Sequence, residues 1–321
     1  MSKIEKALSR ARNEKGLVVV GKRQRSSESE GTAVADSQGR ELVAREGAMP
    51  IGRQRADATA AIARMREHGL RNPSDLALQR IIYPDMAESS TVQAFREIRT
   101  RILQKTQGQN CILMVTSVTG DSGSSFVTTN LGVAFAFDAG KTALLVDCNL
   151  RNPGLQRLFP DMAPLGITDY LEKGELDVAD IIHPIGIERL RVMPAGEQRE
   201  IPSEYFTSVR MRQMLDSVRQ RYSERFIFID APPVSETADT QILAELCDYI
   251  LLVVPYGKVT NGQVEASIKA IDSKKLIGIV FNNEPTMPRV GWKALLKTAY
   301  VPLWDWLRNK IRTIRNAEHR L

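Results

Sequence analysis

An α/β fold, built on a mostly parallel, doubly wound sheet, is what this sequence predicts, and two observations carry the prediction. Between residues 90 and 283, apolar runs of strand length alternate with helical stretches, the pattern of parallel strands covered on both faces by crossover helices. The first run, Ile112 to Ser117, leads into a Gly/Ser-rich loop, Thr119 to Ser125, and then a helix expected to open near Phe126. Strand, small-residue loop and helix N-terminus together form the physical recipe for holding phosphate, because backbone N–H groups and the helix dipole both favour an anion there.

In chain order, residues 2 to 14 read as a short amphipathic helix, with Ser2 and Glu5 as a capping box and Ile4, Leu8 and Ala11 on one face. So short a helix is marginal in water, so it either docks on a partner or frays. From Lys22 to about Gln54 the chain is polar and aperiodic, the composition of a linker. A second helical patch, Asp57 to His68, precedes a loop containing Asn72-Pro73. Val92, Phe95, Ile98, Ile102 and Leu103 give a helix from Val92 to Gln104 its apolar stripe, so the core is expected to start near Ser90. Beyond the loop and its helix lies a strand from Lys141 to Asn149, then irregular and helical chain to about Lys173. A short strand, Arg189 to Gly196, and one helix, Ser203 to Tyr222, come next. The last strands are Arg225 to Asp230, Tyr249 to Pro255 and Lys275 to Asn283, with helices between them. The chain thus divides into a short helix (1–20), a mostly disordered linker (21–75), a folded domain (76–288) and a basic tail (289–321). In the tail, Trp304, Leu307, Ile311 and Ile314 share a helical face, with Arg308, Lys310, Arg312 and Arg315 around them. That pattern suits an interfacial helix on anionic lipid or an amphipathic helix on protein, and periodicity does not separate the two.

Composition narrows the classes. A 43% hydrophobic content over 321 residues supports a full core. The net charge of +6 comes largely from the flanks, which fits a membrane surface or a partner better than a nucleic-acid groove. Cys111, Cys148 and Cys247 have neither disulfide nor zinc spacing and read as buried small hydrophobes in a reducing compartment. No apolar run approaches the ~20 residues of a membrane span, and MSKIEKALSRARNEK lacks a signal-peptide core, so the expected location is the cytoplasm or a surface facing it.

Three features carry chemistry. A working phosphate loop reads GxxxxGK[ST], with Lys reaching the β/γ-phosphates and Ser/Thr on Mg²⁺. Here Gly123 is followed by Ser124 and Ser125, so the hydroxyl is present and the lysine is not. Asp147 ends the strand LLVD before an Asn-Leu-Arg-Asn-Pro turn, and Asp230 ends FIFID before a Pro-Pro turn. An Asp so placed can orient the water shell of Mg²⁺, or simply form a turn or a cap. Lys141, at the far end of its strand from the loop, reads as a solvated strand-start lysine.

In this order the motifs resemble the cytoplasmic tyrosine-kinase domain of bacterial exopolysaccharide and capsule machinery. That is the BY-kinase, or CpsD/CapB-like, family within the MinD/ParA group of P-loop ATPases. The family's TSxxPGEGKSTTAANLA is matched by TSVTGDSGSSFVTTNLG (Thr116 to Gly132), and its LLIDADLRRPxLHxLF by LLVDCNLRNPGLQRLF (Leu144 to Phe159). Its DxVIIDTPPV is matched by FIFIDAPPV (Phe226 to Val234). AFREIRTRI, LEKGELDVADII, MPAGEQREIPSEYFTS, VVPYGKVT and IGIVFNN extend the likeness over roughly residues 75 to 285. The resemblance implies Mg-ATP or Mg-ADP held by Gly120, Gly123, Ser124, Ser125, Phe126, Arg151 and Asn282. It implies a metal on Ser125, Asp147 and Asp230, with the two aspartates catalytic, and an oligomer or partner contact at Gln93, Arg96 and Arg99.

Departures from the family are equally specific. Ser124 replaces the loop lysine, Asp121 a glycine, Asn149 the second Asp of the Asp-x-Asp motif, and Gln93 a glutamate. Tyr300 is the only tyrosine after Tyr256, where the family carries a tail with several. The resemblance with these losses implies a degenerate kinase fold, binding nucleotide weakly or not at all. Such a chain would serve as scaffold or regulator on an integral-membrane polysaccharide co-polymerase at the inner face of the membrane, as a possible homo-oligomer and without nucleic acid. Two alternatives stay open: an active autokinase that draws its charge from elsewhere, and a MinD/ParA-like membrane-positioning protein.

Overall fold

The computed structural model describes residues 65, 69–86, 89–162 and 164–283. The expected N-terminal helix, the expected linker up to residue 68 with its helical patch, and the tail residues Trp304, Leu307, Arg308 and Ile311 lie outside the described residues, Met65 apart, while residues 69–75 of that linker are described. Nine α-helices are present among the described residues: α1 (Pro73–Leu78), α2 (Ser90–Lys105), α3 (Ser124–Ala136), α4 (Gly154–Leu158), α5 (Ile167–Glu172), α6 (Ser203–Thr207), α7 (Val209–Arg221), α8 (Asp239–Glu245) and α9 (Asn261–Ala270). The strands are β1 (Ile112–Ser117), β2 (Thr142–Asp147), β3 (His183–Pro184), β4 (Leu190–Met193), β5 (Arg225–Asp230), β6 (Tyr249–Pro255) and β7 (Leu276–Asn282).

All seven strands form one sheet in the order β3-β4-β2-β5-β1-β6-β7, and every pairing is parallel except β3 with β4. β1, β2 and β5 are buried along their whole length, which is why they read as unbroken apolar runs. Leu113, Val115, Leu145, Phe226 and Phe228 face the layer of α2 and α3, where Phe135 packs against Phe226 and Phe228. Ile112, Met114, Val146, Ile227 and Ile229 face the layer that includes α7, through Met211, Met214 and Val218. The predicted doubly wound α/β fold is the one that forms.

Several boundaries differ from expectation. Asn72-Pro73 is not a loop but the start of α1, with Asn72 at the N-cap and proline in the first turn, where its missing N–H costs nothing. Leu76, Ile81 and Ile82 then join the core, which therefore begins before Ser90. Asn130 of α3 fixes that segment, accepting the Ile82 N–H (2.8 Å) and donating to the carbonyls of Phe126 (3.0 Å) and Arg80 (3.3 Å). α3 opens at Ser124, two residues earlier than expected. The single helix expected from Ser203 breaks at Ser208, which turns extended and accepts the Met211 N–H (3.1 Å) to cap α7. The strand expected from Arg189 is trimmed to Leu190–Met193, and the two-residue β3 was not foreseen. The three cysteines are buried and free, as expected. No helix among the described residues is long and apolar enough to cross a membrane.

Candidate functional site

β1 delivers the loop. One residue past the strand, Val118 still donates to the carbonyl of Val253 (3.1 Å), and the chain then turns. The hydroxyls of Ser117 and Ser122 both donate to the carbonyl of Thr119, at 2.9 and 2.6 Å. Asp121 and Gly123 adopt left-handed backbone, with φ of 52° and 84°. Gly123 is the N-cap of α3, and a Cβ there would lie 2.3 Å from Asn282 Nδ2. That amide donates to the carbonyl of Ser122 (2.8 Å), so the end of β7 clasps the loop from behind.

β2 and β5 bring the carboxylates. Asp147 and Asp230 are register partners on adjacent parallel strands and are 0% and 1% exposed. Asp147 accepts the backbone N–H groups of Leu155 (2.8 Å) and Asn149 (3.2 Å). Thr128 Oγ1 approaches Asp230 Oδ1 at 3.4 Å, while the buried Oδ2 has no hydrogen-bond partner of normal geometry. Burial, with Asp230 beside it, pushes Asp147 well above the carboxylate range against the pull of those two N–H groups. Burial also lifts Asp230 to about 7, opposed by the hydroxyls of Ser125 and Thr128 and the charge of Arg157.

Ser125, in the first turn of α3, completes the set. A Cβ on Gly154 would lie 1.9 Å from Ser125 Oγ and 3.0 Å from Asp230 Oδ2, so the start of α4 sits directly over both groups. Ser125, Asp147 and Asp230 make an all-oxygen donor set with two carboxylates. That suits a Mg²⁺ ion that keeps several waters and takes its other ligands from phosphate. Among the described residues no cluster of three or more His, Cys, Asp or Glu side chains could hold a metal unaided.

The phosphate side fits less well. Ser124 opens α3 without a charge. Glu236, in the turn after Pro232-Pro233, reaches the loop: a Cβ on Gly120 would lie 2.6 Å from its Oε1. Asp121 is exposed on the same loop, so the loop meets two carboxylates and carries no cation of its own.

The other expected site residues are spread more widely. The Phe126 ring packs edge-on against Phe95 (6.0 Å) between α2 and α3, leaving its backbone as the part nearest the loop turn. Arg151 is exposed and pairs with Asp239 at 3.5 Å. On α2, Gln93 is exposed and Arg96 half-buried, while Arg99 donates to the Ala134 carbonyl (2.6 Å) and so ties α2 to α3. Lys141 is half-buried rather than solvated, donating to the Gly108 carbonyl (3.1 Å) over the Phe226 ring (5.4 Å), at the end of β2 away from the loop. Thr128, Gly154 and Glu236 escaped sequence reasoning. Their signals were faint: a hydroxyl one turn after Ser124, a glycine after Pro153, and a carboxylate three residues past a Pro-Pro turn.

No family model matches the chain. Tyrosine-protein kinase CpsD of Streptococcus agalactiae serotype III (strain NEM316) is 31% identical over 195 residues, 60% of this chain and 82% of CpsD. Among solved structures, the chimerical protein CapA2B2 superimposes with a TM-score of 0.59 at 26% identity, covering 72% of this chain and 99% of that one. The kinase domain of the Escherichia coli tyrosine kinase ETK gives 0.58 at 26% identity, over 71% of this chain and 89% of its own.

Proposed function

Since the chain belongs to the family of tyrosine-protein kinase CpsD, we propose that it is a kinase-fold component of exopolysaccharide or capsule synthesis that acts as a scaffold or regulator. The observation that carries this reading is the phosphate loop, with Ser124 where the family has lysine and Glu236 against Gly120. Phosphoryl transfer rests on positioning and electrostatics. Losing one stabilising group of that kind costs on the order of 3–4 kcal/mol of barrier, by analogy with deleted oxyanion donors. A carboxylate at the loop adds repulsion to that loss.

Ser125, Asp147 and Asp230 would hold Mg²⁺ against the phosphates of ATP or ADP, and Gly120, Gly123 and the first N–H groups of α3 would face those phosphates. The bound metal would supply charge neutralisation. The outcome is weak nucleotide binding without transfer. Docking would use the α2 surface of Gln93 and Arg96, against the cytoplasmic face of an integral-membrane co-polymerase. The basic tail around Trp304 and Arg308 would add a contact to that partner or to anionic lipid.

Calorimetry with Mg-ATP and an autophosphorylation assay test this on three proteins: the native chain, Ser124→Lys, and Ser124→Lys with Glu236→Gln. Weak or absent binding by the native chain, improved about tenfold or more in the variants, is expected. Native binding tighter than about 10 μM, roughly −7 kcal/mol, together with phosphotyrosine formation, would sink the scaffold reading. The preserved Ser125–Asp147–Asp230 set favours one alternative, an autokinase that borrows a cation from a neighbouring protomer. Phosphotyrosine that rises steeply with protein concentration would select it.

A further inference from the structure

At the amino-terminal ends of the strands, a cavity of about 460 Å³ lies between the turn Val178–Ile181, β4, β5 and α7. Arg191, Arg221 and Arg225 line it together with Tyr222. Register fixes its position: Arg225 opens β5 beside Thr142, while Asp230 closes β5 at the other end, beside Asp147. The cavity and the phosphate loop are therefore at opposite edges of the sheet.

Alternation along β4 and β5 puts Arg191 and Arg225 on the same face as Met193, Ile227 and Ile229, where packing alone calls for apolar residues. Arg225 is 4% exposed, and its buried Nε has no hydrogen-bond partner. Its Cζ lies 3.9 Å from the centre of the Tyr222 ring, a cation–π contact that satisfies none of the guanidinium donors. Glu224 is the carboxylate that acts on it, and Arg191 and Arg221 oppose it. Arg191 is 7% exposed and donates to the carbonyl of Leu190 (3.0 Å), while Arg221 is exposed at the rim. A buried charge is costly unless it is paired and hydrogen-bonded, so Arg225, whose buried Nε is unpartnered beside Arg221 at a ligand-sized cavity, leaves a cationic donor to be answered.

We propose that this cavity is a second anion site, distinct from the phosphate loop, for a phosphate-bearing small molecule. Guanidinium forks match phosphate oxygens bidentately, and Arg225 with Arg221 would take that group. Val178, Ile182 and Val218 supply an apolar wall for the body of the molecule. The volume falls in the range of small-molecule sites, roughly 300–1,000 Å³, and exceeds what a bare phosphate fills.

The test is calorimetry on the full chain with pyrophosphate and with glycerol 3-phosphate at constant ionic strength, with acetate as the control anion. Because the loop is the other candidate phosphate site, each titration is repeated on Arg221→Gln and Arg225→Lys, and amide exchange locates the protection. Arg221 is exposed, so Arg221→Gln remains informative even if Arg225→Lys folds poorly. Saturable binding to the native chain is expected, weakened about tenfold in Arg221→Gln, with protection at the end of α7 and the start of β5. Equal binding by the native chain and Arg221→Gln would overturn the proposal. So would protection confined to residues 118–126, an equal response to acetate, or no binding at millimolar concentration.

Discussion

Asp230, like its neighbour Asp147, is a carboxyl cut off from water at the candidate metal site. Its value in the fold, about 7 against an ordinary 3.8, means the native state holds a proton that the unfolded chain releases. That contribution to stability is complete below about pH 4 and is lost as pH rises through 7. Asp147 shifts in the same direction. Asp230→Asn should therefore differ from the native chain least at pH 4.5 and exceed it more at pH 7.5, by an amount on the order of a few kcal/mol. Urea unfolding at both values without divalent metal measures the gap, and a gap that does not widen with pH would show the charge to be relieved some other way. Added Mg²⁺ should close part of the gap by stabilising the native chain. Gly123 makes a second residue-scale case. Its φ of 84° and the amide of Asn282 leave a side chain neither a relaxed backbone nor space. Gly123→Ala should cost about 1–3 kcal/mol, read as a lower Tm.

At the scale of elements, α3 organises the domain. It is buried from Val127 to Ala136, touching the sheet on one side and α2 on the other, so it has no solvent face to spare. Its polar residue Asn130 survives there because both ends of its amide are bonded, which joins the 80–82 segment to the phosphate-loop helix. Asn130→Ala would leave the Ile82 N–H buried and unpaired, at a cost of about 1–3 kcal/mol. Amide exchange should show the Ile82 N–H opening first, and a uniform loss of protection across the domain would argue against this local role. Arg99 reinforces the same pairing by donating to Ala134, close to the α3 C-terminus, where a cation also complements the helix dipole.

For the whole molecule, strand order decides which chemistry meets. β1, β2 and β5 are neighbours in the centre of the sheet, so the loop and both aspartates converge at one edge. That edge, beyond the carboxyl ends of the strands, is where parallel α/β sheets bind ligands. The core that supports it reaches back to α1. A chain cut just before Ser90 would lose Leu76, Ile81 and Ile82 from the layer under α3. It should be less stable than one beginning at Gly69 by on the order of 5 kcal/mol, from three aliphatic side chains at about 1.5–3 kcal/mol each. Equal denaturation midpoints for the two chains would show those contacts to be dispensable.

Burial on both faces turned β1, β2 and β5 into apolar runs, and so made the α/β class and the placement of Asp147 and Asp230 at strand ends readable from order alone. The α2 stripe was as plain, because one helical face meets the core. Ser208 was not readable as a break, since serine suits both a helix interior and a cap. α1 was hidden because its proline is a turn signal as readily as a helix start. The roles of Asn282, Gly154 and Glu236 depend on contacts across strand order, as with the 160 residues separating Asn282 from Ser122. Local periodicity reports which face of an element is buried. Only the folded sheet decides which distant side chain lies against it, because that neighbour is selected by topology and not by spacing along the chain.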